Sequence, residues 1–406
     1  MKRVVITGFG IVSSIGDNEN EVFNSLYNGN SGVVFSEDMK KLGMRSQIWG
    51  NVKLKEKNII KKKASRFMND ASKYSFISMI EAIKDAKITT EQYQKNPRVG
   101  LIAGSGCSFP KYYTHNIMSS MKIPDSVNPI SPYLAIKTMP SGISSCLSTL
   151  FKIYGVSYSI SSACSTSAHC IGNAFELIKS GSQDLVFAGG ADEISIELAR
   201  EFDMMKVLSS KFNNNPKVAS RVYDLNRDGF VISGGAGILV IEELNFALSR
   251  SANIYAEIIG YAATSDGKNM VLPSGKGAIR CMNLAQKEKN ISIDYLNVHG
   301  TSTRKGDLIE LKAIKEVFLN KKMPMISATK SITGHALGAS GVHEIIYILL
   351  MFKYNFIAPT INIKEIEPYA KNMNIIQKTI DIEINTAMSN SFGFGGTNVS
   401  LIVKKY

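Results

Sequence analysis

One cysteine lies where a strand-like run gives way to a helix, and this position could make it a nucleophile. Residues 156–161 alternate apolar and polar side chains, and apolar residues recur at helical spacing over 171–178. Cys164 lies between these two patterns, among small residues. Unpaired N–H groups and the positive end of the dipole at a helix N-terminus favour a thiolate over a thiol. The pattern predicts a nucleophilic cysteine; a buried structural cysteine is the alternative.

Two histidines occur in comparable settings. His299 ends the strand-like run 295–298, and His335 precedes the apolar run 342–352. A histidine at a helix N-terminus tends to stay neutral and can donate a hydrogen bond. Because sites gather at the carboxyl ends of strands in doubly wound sheets, we expect Cys164, His299 and His335 to share one site, with two satisfied loop histidines as the alternative. The other histidines are expected elsewhere: in a polar loop (His115), beside the site (His169) and on a helix surface (His343).

The elements that must position these residues follow an α/β pattern. Short apolar runs alternate with amphipathic stretches along the chain, without a low-complexity linker. Residues 5–14 and 258–265 resemble each other, since each is an apolar run that reaches Gly and an aromatic residue before small hydroxyl residues. This faint likeness indicates either an internal duplication or chance. We place a boundary at residue 250, which gives a half 1–250 with the cysteine and a half 251–406 with both histidines.

Composition excludes several classes of protein. The 406 residues are 44% hydrophobic and 20% charged, as in a globular protein with a sizeable core. No apolar run approaches the roughly 20 residues that span a bilayer, and Gly8 and Gly10 interrupt the N-terminal apolar stretch early. We expect a cytoplasmic protein that does not insert into a membrane.

Neither a metal cluster nor a nucleotide cofactor is expected. The five cysteines are odd in number and form no CxxC pair, which argues against a disulfide framework or a zinc ribbon. The Gly-rich segments 8–13, 270–277 and 393–398 all miss the spacing of nucleotide-binding loops. Their glycines are better explained by tight turns and close backbone approach.

The net charge of +13 has two explanations. One is the compositional drift of an AT-rich genome, since Lys, Asn and Ile are abundant. The other is an acidic partner. Nucleic acid is a poor candidate because the basic residues are scattered and no stacking motif is present.

Over essentially its whole length the chain resembles the β-ketoacyl-acyl carrier protein synthases of thiolase-like fold, most closely their type I class. The resemblance is carried by residues 1–8, 44–54, 161–164, 297–303, 330–335 and 390–398. It implies an α/β, thiolase-like, internally duplicated five-layer α/β/α/β/α fold and a homodimer. It also implies a decarboxylative Claisen condensation that extends an acyl chain by two carbons from malonyl-acyl carrier protein, with unsaturated chains as possible substrates.

The resemblance further implies a role for each motif residue. Cys164 would carry the acyl chain, while His299 and His335 would hold the malonyl thioester carbonyl as carbon dioxide leaves. The N–H groups of Cys164 and Phe394 would form an oxyanion hole, and the Phe394 ring would gate access. Lys330 is expected beside the histidines, tied to Glu310; an ordinary buried ion pair is the alternative.

Binding residues follow from the same resemblance. Thr301 and Thr303 would contact substrate, and Cys107 stands where relatives have a Gly-rich wall of the acyl pocket. Four residues match a structural monovalent-cation site: Asn297, Glu344, Ser389 and Asn390.

The resemblance also implies that three basic residues with helical spacing bind the acidic carrier protein. They are Lys62, Lys63 and Arg66 (the basic patch). A solvated charged face is the alternative. Relatives have a second basic cluster at residues 121–127, where this chain retains only Lys122.

Three other functions fit parts of the pattern. A non-catalytic partner subunit of the same fold generally lacks the cysteine. A degradative thiolase uses a second cysteine in the C-terminal half, and no cysteine follows Cys281. A cysteine hydrolase would need water at the thioester, and no protease motif surrounds Cys164.

Overall fold

The computed structural model describes residues 1–54, 59–121, 131–286 and 291–406. Its strands are β1 (Val4–Val12), β2 (Val33–Phe35), β3 (Ile48–Gly50), β4 (Val99–Gly104), β5 (Ser157–Tyr158), β6 (Leu185–Asp192), β7 (Gly235–Glu243), β8 (Ala256–Ser265), β9 (Tyr295–Asn297), β10 (Met325–Ser327), β11 (Phe356–Ile357), β12 (Ile380–Asp381), β13 (Thr386–Gly393) and β14 (Thr397–Lys405). Its α-helices are α1 (Glu19–Asn28), α2 (Glu37–Lys41), α3 (Lys62–Ser65), α4 (Asp70–Asp85), α5 (Thr90–Tyr93), α6 (Pro110–Met121), α7 (Leu134–Thr138), α8 (Gly142–Phe151), α9 (Thr166–Lys179), α10 (Ile196–Met204), α11 (Leu244–Ser249), α12 (Lys276–Ala285), α13 (Arg304–Val317), α14 (Lys330–Thr333) and α15 (Ser340–Tyr354).

The main sheet consists of two halves with the same topology. Its strand order is β10-β9-β13-β14-β8-β1-β7-β6-β4-β5. From β1 outward the neighbours pair antiparallel, antiparallel, parallel and parallel, and the same series runs from β8 outward. Within the described part of the sheet, the two halves are joined where Val5 and Ile6 of β1 lie opposite Glu257 and Ala256 of β8. The two segments that resemble each other in sequence thus begin equivalent strands, and the duplication is confirmed. A boundary at residue 250 remains a prediction.

Helices cover both halves of the main sheet and fill the space between them. In the central layer α9 packs against α15, which is buried from Ser340 to Phe352. Helices α4 and α8 cover the outer face of the half that contains β1. Helices α12 and α13 cover the outer face of the half that contains β8. A helix that is apolar on all sides must be buried, which explains why the run 345–352 lies in the middle. The five-layer fold predicted from the sequence is confirmed.

Several local predictions need correction. The strand expected over 156–161 shortens to the two exposed residues of β5, at the edge of the sheet. His343 lies inside the central layer rather than on a helix surface, because α15 has no solvent-facing side. His115 lies on α6 rather than in a loop, and its Nε2 is 3.3 Å from Glu197. Among the described residues, no helix is both long and apolar enough to cross a membrane.

Candidate active site

Cys164 occupies a tight turn between β5 and α9. The turn is a single 3₁₀ turn, Ala163–Ser165, and Ala163 has a left-handed backbone with φ of +50°. Thr166 stabilises it, because its hydroxyl donates to the Ala163 carbonyl at 2.8 Å and accepts from the Ser162 N–H at 2.9 Å. The left-handed residue reverses the chain, so that the thiol stands at the start of α9.

The two predicted histidines lie beside this thiol. Cys164, His299 and His335 line a common cavity of about 290 Å³. One Sγ and one ring nitrogen from each histidine all lie within 4.8 Å of one another, and the ring centroids are 5.3 Å apart. Residues far apart in sequence therefore converge on one reaction space.

The tautomer of His335 is fixed by its backbone neighbours. The Leu337 N–H donates to His335 Nδ1 at 3.2 Å, and Ser340 Oγ is 2.9 Å from the same nitrogen. Because a backbone N–H can only donate, the ring proton of neutral His335 is on Nε2. That atom is buried without a hydrogen-bond partner among the described residues. Burial, followed by the charge of Lys330, lowers the pKa of His335 well below its usual value.

Two carboxylates from α13 shape the loop that holds His299. Glu310 accepts from the backbone N–H groups of His299 and Gly300, both at 2.8 Å, and Asp307 accepts from the Thr301 N–H at 3.1 Å. The pKa of His299 lies well below its usual value because of burial, the Lys330 charge and His335. Sequence reasoning missed Asp307. The available signal was its position three residues before Glu310 and directly after the loop that contains His299.

Lys330 is near the histidines but its ion pair differs from the expectation. Its Nζ pairs with Glu344 of α15 and not with Glu310. The oxygens of Glu310 each accept from a backbone N–H group instead, so this carboxylate holds the His299 loop. Burial raises the pKa of Glu310 and of Glu344 to about 7. The Lys330 charge lowers the pKa of both carboxyl groups, but this effect is smaller than that of burial.

The expectation that Cys164 rests as a thiolate is wrong. Burial raises its pKa to about 11, although Lys330 and the N–H groups of Phe394 and Cys164 lower it. Desolvation penalises the charged form, and here it exceeds the stabilisation from the nearby cation and N–H groups. The side chain is therefore a thiol at neutral pH.

Two backbone N–H groups lie within reach of the sulfur. The amides of Phe394 and Cys164 both interact with it, and Phe394 lines the cavity. Gly393 has no room for a side chain: a Cβ there would be 2.6 Å from Thr397 Oγ1 and 3.1 Å from the Cys164 nitrogen. Glycine is required at 393 so that the segment can approach the nucleophile.

Cys107 lies in the wall of the same cavity, next to an apolar cluster that includes Phe202 and Val207. Its N–H donates to buried Asp192 at 3.2 Å, and Asp192 also accepts from the Gly338 N–H. Asp192 thus ties the Cys107 segment to the turn after His335. Sequence reasoning missed it, because an acid at the end of a buried strand has no distinctive spacing.

Comparisons with known proteins agree with this geometry. Residues 1–247 match the family model of the beta-ketoacyl synthase N-terminal domain, and residues 255–364 match that of the C-terminal domain. The chain belongs to the β-ketoacyl synthase family. It is accordingly an acyltransferase-type condensing enzyme of fatty-acid elongation, and the thiolase and hydrolase alternatives are set aside.

Individual relatives cover the whole chain. It is 76% identical over 406 residues to 3-oxoacyl-[acyl-carrier-protein] synthase 1 of Buchnera aphidicola subsp. Acyrthosiphon pisum, with both chains covered completely. It is 58% identical to the protein of that name from Escherichia coli K12, covering 100% of this chain and 99% of the other. A β-ketoacyl synthase crystal structure from Burkholderia phymatum superposes with a TM-score of 0.93 at 32% identity, with full coverage of both chains.

Two of the four expected cation ligands in this β-ketoacyl synthase lie opposite each other, and three of the four have an unsatisfied oxygen. Asn297 and Ser389 are partners on adjacent strands β9 and β13. Asn297 Oδ1, Ser389 Oγ and Glu344 Oε2 are buried oxygens without a hydrogen-bond partner among the described residues. The fourth differs, because Asn390 Oδ1 accepts from Ser400 at 2.8 Å. Three unsatisfied oxygens suit a hard monovalent cation, since buried polar atoms need a partner.

The remaining predicted binding residues lie at the cavity and on the surface. Thr301 and Thr303 line the cavity with their Oγ1 atoms 3.1 Å apart. All three residues of the basic patch are exposed, although α3 ends at Ser65 and Arg66 is the residue that follows it. Lys122 lies outside the described residues.

Proposed function

We propose that Cys164, His299, His335 and the N–H groups of Cys164 and Phe394 perform the condensation on thioesters delivered by an acyl carrier protein. The single observation that carries this assignment is the convergence of the thiol and the two imidazoles on one cavity. Both rings are neutral, so each can donate an N–H without bringing a charge.

In the first half-reaction the Cys164 sulfur attacks the acyl thioester carbonyl. The oxyanion that develops is held by the N–H groups of Cys164 and Phe394. As the intermediate collapses, the carrier sulfur departs, and the proton of the Cys164 thiol ends on that sulfur. Because the thiol is the resting form, proton removal accompanies attack. His335 already carries its proton on Nε2, so a ring nitrogen of the neutral His299 is the base.

In the second half-reaction the malonyl thioester occupies the vacated cavity. The bond between its α-carbon and the carboxylate breaks, carbon dioxide leaves and the electron pair moves to the thioester oxygen. N–H donors of His299 and His335 stabilise that oxygen. The carbanion then attacks the acyl carbonyl on Cys164 and expels the thiolate, which takes one proton from solvent.

Lys330 keeps this site in the state that the chemistry needs. Its charge lowers the pKa of both histidines and so favours neutral donors. It also lowers the pKa of Cys164, which aids departure of the thiolate in the last step. Glu344 balances the lysine charge inside the protein.

An acyl carrier protein is the proposed partner. Close relatives carry it in their name, and one solved ketosynthase, at 27% identity and a TM-score of 0.88, is a complex with an acyl-carrier protein. The exposed basic patch offers three cations to an acidic surface. Such rim charges chiefly speed association and make it salt-dependent.

A homodimer is proposed from the free edge of the sheet. Strand β5 ends the main sheet, and its side chains are exposed. Leu150 and Tyr154, close by in sequence, are also exposed, Tyr154 by 61%. An uncovered edge with apolar neighbours favours pairing with another strand, and a second copy offers an identical edge.

A monovalent cation is proposed for the three unsatisfied oxygens of Asn297, Ser389 and Glu344. Its positive charge would fix the α15 carboxylate against β9 and β13 and so hold Lys330 in place. It takes no part in a chemical step.

The test is an elongation assay with acyl- and malonyl-acyl carrier protein, using saturated and cis-unsaturated acyl chains of graded length. We expect a β-ketoacyl product two carbons longer and one carbon dioxide per turnover. Cys164→Ala should abolish elongation while the protein stays folded. Full elongation by Cys164→Ala would refute the assignment.

A further inference from the structure

One lysine lines the mouth of the active-site cavity and is not used by the chemistry above. Lys305, the second residue of α13, is exposed and lines the cavity. The adjacent Arg304 has a different role, since its Nε donates to the Arg227 carbonyl at 3.1 Å. Among the described residues, no carboxylate pairs with Lys305.

The acids near this mouth are already engaged. Asp307 is buried and pairs with Arg227 at 3.3 Å. Asp266 accepts from the Ser274 N–H at 2.5 Å and from Asn398 Nδ2 at 3.0 Å. Glu310 binds two backbone N–H groups. The cavity mouth therefore presents an unpaired ammonium group.

The lining of this cavity combines several kinds of group. Lys305 supplies an exposed cation, Thr301 and Thr303 supply hydroxyls, and Val271, Leu272 and Pro273 supply apolar surface. The Cys164 thiol and the two imidazoles face the same cavity. A ligand that complements this lining carries an anion, polar groups beside methyl groups, and a thioester.

We propose that Lys305 binds the phosphodiester of the phosphopantetheine arm on which a carrier protein presents its thioester. The arm carries each of these groups: a phosphodiester, a gem-dimethyl carbon with a hydroxyl, two amides and the sulfur. A compact ammonium acts as a point-charge partner for a phosphate. The inference rests on the proposed function and assigns the charged end of its substrate.

Lys305 and the basic patch would then recognise different parts of one substrate. The patch is exposed on α3 and at the residue that follows it, and it does not line the cavity, so its partner is the carrier protein's own surface. Lys305 lines the cavity itself, so its partner is the arm. An acyl donor that consists of the arm without the carrier protein therefore reports the contribution of Lys305 separately from that of the basic patch.

The experiment measures the rate of acyl-Cys164 formation by intact mass, without a malonyl donor, for wild type and Lys305→Gln. Three acyl donors are compared: acyl-acyl carrier protein, acyl-phosphopantetheine and acyl-pantetheine, which has no phosphate. Lys312→Gln is the matched control, because it removes the same charge from an exposed position farther along α13.

We expect Lys305→Gln to lower the second-order rate about three- to tenfold for both phosphate-containing donors and to leave acyl-pantetheine within about twofold. Lys312→Gln should change none of the three. Equal effects on acyl-phosphopantetheine and acyl-pantetheine would overturn the inference, and so would an effect confined to the carrier protein. In either case acylation of wild-type Cys164 would show that the proposed function itself stands.

Discussion

The tautomer of His335 leads to a prediction that separates two substitutions of similar size. The Leu337 N–H occupies Nδ1, so the catalytic proton is on Nε2. A glutamine amide can place an N–H near the position of Nε2, whereas an asparagine amide reaches only the position of Nδ1. Losing one preorganised donor costs about 3 kcal/mol of transition-state stabilisation, or about 10²-fold in rate. We expect His335→Ala and His335→Asn to lose this factor and His335→Gln to retain part of it.

The assay follows the two half-reactions separately. Carbon dioxide release from malonyl-acyl carrier protein reports decarboxylation, and intact mass reports acylation of Cys164. Decarboxylation should fall in the order wild type, Gln, Asn, while acylation changes by less than about threefold, because its oxyanion is held by backbone N–H groups. A variant with Asn at least as active as Gln, or an equal loss in both half-reactions, would refute the reasoning.

Three further predictions follow from the same site. In a Cys107→Ala background, the rate of Cys164 alkylation by iodoacetamide should rise about tenfold per pH unit between pH 7 and 10, because a pKa of about 11 leaves only a small thiolate fraction. Lys330→Met should slow this alkylation by raising the pKa of Cys164 further. A rate that reaches a plateau near pH 8 would contradict the account. Gly393→Ala should slow acylation and condensation alike by about 10²-fold, since the added Cβ at residue 393 would displace the Phe394 N–H. Normal rates in the folded variant would exclude the Phe394 N–H as a donor to the oxyanion. Changing all three residues of the basic patch to Glu should raise KM for carrier-borne thioesters and weaken its salt dependence, with iodoacetamide alkylation unchanged; an unaltered KM at low salt would place docking elsewhere.

Local patterns predicted that Cys164, His299 and His335 share one site. Small residues between an apolar run and a helical pattern placed Cys164 at a helix start, and the apolar run after His335 placed that histidine before a buried helix. The faint similarity of residues 5–14 and 258–265 was one indication of the duplicated fold, which the family resemblance implied.

The errors arose where distant groups compete. Lys330 could pair with either of two buried carboxylates, and only the packed structure shows that it pairs with Glu344 while Glu310 binds backbone N–H groups. The dipole argument for a Cys164 thiolate omitted the cost of burial, which only the packed structure reveals. Asp192 was missed because the segments it binds, at Cys107 and Gly338, are remote from it in sequence. Asp307 lies only six residues from Thr301, and that spacing was not used.

The most direct test of the central claim is a pulse–chase measurement on Cys164. After a pulse of acyl-acyl carrier protein, peptide mass mapping should find one acyl group, on Cys164. A chase with malonyl-acyl carrier protein should discharge it with one carbon dioxide and one β-ketoacyl product per acyl group lost. An acyl group found on another residue, or discharged as free fatty acid without carbon dioxide, would contradict the account.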